Sequence, residues 1–121
     1  MDLILRELRS RFWLIAAASL LAAVAYAATP EYEIEIKNHL FVPDVVTIPA
    51  NTKVKLVVYN RDATPEEFES FELNREKVIL GGRKAIIFIG PLAPGEYPFF
   101  GEFNAQTALG KIVVQDDADA S

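Results

Sequence analysis

The chain contains no cysteine, a single histidine (His39) and no methionine beyond Met1. Without thiols it forms no disulfide, offers no thiolate nucleophile, and builds neither a Cys-based zinc site nor a thiolate-ligated type 1 copper centre. One imidazole is too few for a His-rich metal site within one chain. Basic residues are also in the minority: 12 Lys and Arg stand against 17 Asp and Glu in 121 residues, a formal net charge of −5. Nucleic-acid binding needs clustered Lys and Arg against phosphate, and no such cluster is present, so that class is excluded. What remains for chemistry is carboxylates, hydroxyls, Lys, Arg, Tyr and one imidazole.

The N-terminal segment reads as an address. Arg6, Arg9 and Arg11 precede an apolar run from Phe12 to Val24 broken only by Ser19, and Ala25-Tyr26-Ala27 follows as a small-x-small cleavage pattern. This is the three-part layout of a secretory signal peptide, with a signal helix over residues 1–27 and export to the periplasm. The alternative is an uncleaved anchor in the inner membrane, because Phe12–Ala28 is at the lower length limit for spanning a bilayer. Cleavage removes three Arg and two acids, so the remaining domain is more acidic still. Its field attracts cations and cationic partners.

Beyond the leader, period-two alternation dominates. Glu31–Lys37 places Tyr32, Ile34 and Ile36 on one face and charges on the other, the pattern of a half-buried strand. Val45–Ile48, Lys53–Tyr59, Glu67–Leu73, Lys77–Leu80, Lys84–Ile89, Glu96–Phe100 and Lys111–Gln115 read as further short strands. Asn60-Arg61-Asp62, Gly81-Gly82 and Pro91…Gly95 punctuate them, and Asn60 is expected to hold its turn through a side-chain-to-backbone bond. No stretch has sustained helical periodicity. About eight strands with regular turns predict a single all-β sandwich or barrel. The domain is expected over residues 28–115, with a disordered acidic tail at 116–121.

Three segments resemble the cupredoxins. Phe41-Val42-Pro43 with Ile48-Pro49-Ala50-Asn51-Thr52 is similar to that family's opening. Asn60–Glu66 resembles the segment that carries its first copper-binding His. Gly95–Gly101 with Gly110–Val114 resembles the final hairpin that holds its Cys, second His and Met. The resemblance implies a Greek-key β-sandwich of cupredoxin type. At the ligand positions this chain has Glu66 for His, Gly101 for Cys, Asn104 at or near the second His, and Ala108 for Met, so a blue-copper electron carrier is excluded. Glu67-Phe68-Glu69 and Gly90-Pro91-Leu92-Ala93-Pro94-Gly95-Glu96-Tyr97 are similar to the EfeO-type cupredoxin-like domains attached to, or encoded beside, bacterial iron-permease uptake systems. That likeness implies iron handling, with copper as a second candidate. The implied partners are periplasmic iron-uptake proteins and an inner-membrane iron permease, and the implied role is ferrous iron oxidation or delivery.

The residues themselves favour the same chemistry. Glu66, Glu67, Glu69 and Glu72 are crowded together. On a strand, Glu67 and Glu69 project to one side with Cα atoms roughly 6.5–7 Å apart. Carboxylate oxygens suit hard ions such as Fe³⁺ and suit Cu⁺ poorly. Glu102, in the loop that carries ligands in the relatives, is placed to close the site, and His39 to add one nitrogen. The expected metal ligands are therefore Glu66, Glu67, Glu69, Glu102 and His39, with a second copy of the chain as a candidate contributor. Like charges this close repel, so an empty site should raise carboxylate pKa values. The competing reading is a solvated acidic face, neutralised by Arg75, Lys77 or Arg83. A second function class is a metal-free docking module for a periplasmic or membrane partner. A hydrolase is disfavoured, since Ser70 and Thr107 have only His39 as a base and nothing marks a pairing.

Overall fold

The computed structural model describes residues 28–116. The expected leader, 1–27, and the tail from residue 117 lie outside the described residues. Nine strands form two facing sheets: β1 (Glu31–Lys37), β2 (Leu40–Val42), β3 (Val45–Pro49), β4 (Val54–Asn60), β5 (Glu66–Ser70), β6 (Arg75–Ile79), β7 (Lys84–Ile89), β8 (Gly95–Gly101) and β9 (Leu109–Gln115). One sheet has the order β2-β1-β4-β7 and the other β3-β9-β8-β5-β6. β1 lies parallel to β4 and β3 parallel to β9, because the chain crosses between sheets instead of returning by a hairpin. Among the described residues the only helical element is a 3-10 turn, Glu102–Asn104.

Alternation explains the layers. On β7, Ala85, Ile87 and Ile89 are buried while Lys84, Ile86 and Phe88 face out. Ile34, Ile36, Ile48, Leu56, Val58, Ile112 and Val114 supply the facing sides of the sandwich. Its centre is an aromatic triad: Phe68 and Phe99 stack at 4.9 Å, and Phe41 meets Phe99 edge-on at 4.9 Å. Gly110 stands opposite Phe99 on the neighbouring strand, and a Cβ there would meet the Phe99 ring.

Two differences from the sequence expectation matter for the site. The segment expected as one strand from Glu67 to Leu73 begins at Glu66 and stops at Ser70. The Ser70 hydroxyl accepts from Leu73 N at 3.1 Å and donates to Pro98 O at 2.7 Å, so it starts a turn instead of extending the ladder. The three-residue β2 was not expected. It exists because Asn38 and His39, at φ 53° and 60°, form the left-handed pair of a two-residue hairpin. Asp62 holds that pair by accepting Asn38 N at 2.8 Å and His39 N at 3.0 Å.

Asn60 holds its turn as its position predicts. Its Nδ2 donates to Thr64 O at 2.9 Å and Ile79 O at 3.0 Å, while its Oδ1 accepts Asp62 N at 3.0 Å. Asn60 is buried, so its amide joins the end of β4 to the end of β6 and fixes where β5 begins. Asn60→Ala orphans those groups. It is expected to cost about 3 kcal/mol, since each buried unsatisfied group costs roughly 1–3 kcal/mol. Denaturant unfolding checks this, and a loss below about 1 kcal/mol would show that water replaces the amide.

Candidate metal centre

Strand β5 sends its glutamates to opposite faces of its sheet. By strand alternation Glu66, Phe68 and Ser70 point into the sandwich and Glu67 and Glu69 to the opposite face of the sheet, where Glu67 is largely covered, at 9% exposure, and Glu69 is half-buried. Glu66 is 1% exposed. Its Oε1 accepts Glu67 N at 3.0 Å and Phe103 N at 2.9 Å, and its Oε2 accepts Asn104 Nδ2 at 2.7 Å. A Cβ built on Gly101 would stand 2.6 Å from Glu66 Cδ and 2.7 Å from the Ala108 Cβ. The four positions that the resemblance aligned with copper ligands therefore do converge. They enclose a carboxylate held by the chain's own donors.

The outward glutamates form a different constellation. Carboxylate oxygens of Glu67, Glu69 and Glu76 lie within 4.8 Å of one another. Oxygens bound to one cation at roughly 2.1–2.5 Å are at most about 4–5 Å apart, so small side-chain rotations would let the three share an ion. Glu76 enters because it sits opposite Glu69 across the β5–β6 hairpin. Glu102 follows directly after β8, and its negative charge helps raise the Glu69 carboxyl. Beside them, Phe71 packs against Phe100 at 5.5 Å. An open depression of about 270 Å³ is lined by Glu69, Phe71, Asn74, Arg75 and Glu76.

The charges in this cluster are uncompensated. Among the described residues, no ion pair involves Glu67, Glu69, Glu76 or Glu102. Arg75 lines the depression, but its guanidinium donates to the carbonyls of Phe88, Leu73 and Asn74. The hydrogen bond with Glu76, burial, and the negative charges of Glu76, Glu69 and Glu102 push the Glu67 carboxyl up from 4.5 to about 7. Burial, followed by the charges of Glu102 and Glu76, also raises Glu69.

The five residues expected as ligands are thus distributed as follows. Glu67, Glu69 and Glu102 come together on the outer face. Glu66 stands behind them, on the opposite side of the sheet. His39 lies at the same end of the sandwich, where Thr107 Oγ1 donates to its carbonyl at 2.9 Å. Its imidazole faces Asp62, with Nδ1 3.5 Å from Oδ2. Glu72 is in the exposed turn after β5. Sequence reasoning missed Glu76, which lay just before the expected start of its strand at Lys77. Closing the hairpin at Ser70 and Arg75 would have placed it across from Glu69.

A two-sheet Greek key with a ligand cup between β5 and the β8–β9 loop defines the class. The sequence profile of the cupredoxin-like domain family matches residues 10–114, and the chain belongs to that family. A protein of Rickettsia prowazekii (strain Madrid E), itself uncharacterised, is 46% identical over 86 residues, covering 71% of this chain and 69% of that protein. Auracyanin A, a "blue" copper protein from Chloroflexus aurantiacus, matches with a TM-score of 0.63 at 14% identity, covering 73% of this chain and 100% of its own. Amicyanin from Paracoccus versutus matches with a TM-score of 0.56 at 18% identity, covering 78% and 88%. These structures show the shared fold. The residues in the cup do not fit their copper: there is no thiolate or imidazole, and a carboxylate already fills the space a Cys side chain at 101 would need.

The raised Glu67 fixes the sign of a pH dependence. Between 4.5 and about 7 the folded state binds more protons than the unfolded state, so stability falls as pH rises through that window. The depressed Asp62, whose His39 and Asn38 amide bonds favour its charged form, acts only below its ordinary value of 3.8. There stability is lost as pH falls. Unfolding in metal-free buffer should therefore show a higher melting temperature at pH 5 than at pH 7.5, and Glu67→Gln should remove most of that difference. A flat profile in the unsubstituted protein would contradict the coupling.

Proposed function

We propose that this protein is a periplasmic, EfeO-type cupredoxin-like protein that captures iron through the outward carboxylates Glu67, Glu69, Glu76 and Glu102. It hands the iron toward an inner-membrane permease. The observation that carries the reading is three carboxylates gathered within 4.8 Å with, among the described residues, no cationic side chain paired to them. Such a group is destabilised by mutual repulsion until a cation enters. All-oxygen donors favour a hard, highly charged ion. They hold Fe³⁺ more tightly than Fe²⁺, consistent with a role in ferrous oxidation or ferric delivery. Copper is the second candidate, suggested by the shared fold with the "blue" copper protein auracyanin A. The likeness to EfeO-type domains and the N-terminal leader pattern support the periplasmic setting. One feature favours the docking alternative: Phe71 is 73% exposed beside the acidic group, where an apolar partner surface would find purchase.

Calorimetry and thermal shift with Fe²⁺ under anaerobic conditions, ferric citrate, Mn²⁺ and Cu²⁺ test the proposal. Iron binding should raise the melting temperature at pH 7.5 and release protons, because the Glu67 carboxyl, pushed up to about 7, must ionise fully. Glu67→Gln/Glu69→Gln should weaken binding by at least tenfold. No binding by any of these ions would leave the docking alternative. Equal, weak responses to all of them would reduce the cluster to an acidic surface.

A further inference from the structure

We infer that Glu66 is a positioning residue: its buried carboxylate takes the place of the metal in the old ligand cup and clamps the Glu102–Asn104 turn so that Glu102 faces the outer carboxylates. The inference deepens the iron-capture reading and depends on it for its functional consequence.

The geometry of Glu66 fits support better than ligation. Three of the roughly four acceptor positions of a carboxylate are filled, by Glu67 N, Phe103 N and Asn104 Nδ2. Two of those donors belong to the 3-10 turn that begins with Glu102. That turn has no side-chain cap of its own: Gly101 occupies the capping position and supplies none. The Glu66 carboxylate, arriving from β5, provides the acceptor that a capping side chain otherwise would. The turn is closed on its far side by Ala108 N donating to Asn104 O at 2.9 Å and Gly101 N donating to Ala108 O at 2.8 Å. Gly101 is the complementary half of the device. With a Cβ there, 2.6 Å from Glu66 Cδ, the carboxylate would be displaced from its donors. Glu66 also faces away from Glu67 and Glu69, so joining their ion would mean leaving its cradle.

Three substitutions in the full-length chain separate support from ligation, with Mn²⁺ as a redox-inert stand-in for Fe²⁺ and amide hydrogen exchange as a second readout. Glu66→Ala and Gly101→Ala should each weaken Mn²⁺ binding by at least tenfold and speed exchange at the Phe103 amide by at least tenfold. Glu66→Gln should stay within threefold of the unsubstituted protein in both. Its Oε1 still accepts the two backbone amides, and the Asn104 amide can turn to accept from its Nε2. If Glu66→Gln loses as much affinity as Glu66→Ala while the Phe103 amide stays protected, Glu66 is a ligand and the inference is overturned. Unchanged exchange and affinity in Glu66→Ala would overturn it too. Should Glu66→Ala fail to fold, Gly101→Ala carries the same comparison. If the unsubstituted protein binds no Mn²⁺, the iron-capture reading fails alone, and the exchange rates still decide whether Glu66 holds the turn.

Discussion

The two-residue period of one short strand governs the acidic end of this molecule. β5 carries three glutamates, and alternation sends Glu66 inward and Glu67 and Glu69 outward. An inward carboxylate without donors would cost several kcal/mol of desolvation. The loop after β8 therefore has to return over the start of β5 with N–H groups aimed at it. Hydrogen bonds to a charged acceptor contribute about 1.5–3 kcal/mol each, and Glu66 receives three. The same return path carries Glu102 to the outer face of the sheet, toward the glutamates that alternation sends there. Interior and exterior are thus two consequences of one register.

Much of the scaffold was legible because burial and alternation agree. β1 read directly from its sequence, since it has one apolar and one polar face, and β7 from a short apolar run set off by Gly81-Gly82 and Pro91. The turn after β5 was harder. Phe71-Glu72-Leu73 alternates apolar and polar past Ser70, out of phase with Phe68, and nothing local reveals that the Ser70 hydroxyl will bond Leu73 N and Pro98 O. That misreading hid Glu76, whose place opposite Glu69 depends on where the hairpin closes. β2 was hidden because its turn needs two residues with positive φ, and the acceptor that holds them, Asp62, lies more than twenty positions away. The inward aim of Glu66 was hidden for a similar reason. A glutamate in an acidic run reads as solvated or ligating, and the donors that make burial tolerable come from residues 103 and 104.

The distribution of ion pairs separates the outer cluster from the rest of the surface. Glu31 pairs with Lys55, Glu96 with Lys111 and Glu35 with Arg61. Such exposed pairs contribute little to stability, but they show that cations are available to the chain. At the cluster, the nearby Arg75 turns to three backbone carbonyls instead. Among the described residues the glutamates face one another with no paired cation, the arrangement on which the iron-capture proposal rests. The cost of the repulsion falls on a domain that has no disulfide to help offset it, so the aromatic triad and the two facing aliphatic layers have to compensate.

A glutamate at 66 and any side chain at 101 compete for the same volume, as the 2.6 Å approach to Glu66 Cδ shows. A thiolate ligand at 101 therefore requires that position 66 withdraw its carboxylate. A buried carboxylate at 66 in turn requires a glycine at 101. No single substitution passes smoothly between the two arrangements, because each half alone leaves either a steric conflict or a hole beside an unsatisfied turn. A thiolate ligand at 101 and an internal Glu66 support for the loop are for this reason mutually exclusive. In this chain the Glu66 side chain holds the loop after β8 by accepting from Phe103 N and Asn104 Nδ2, and the proposed ion site lies across the sheet from that support.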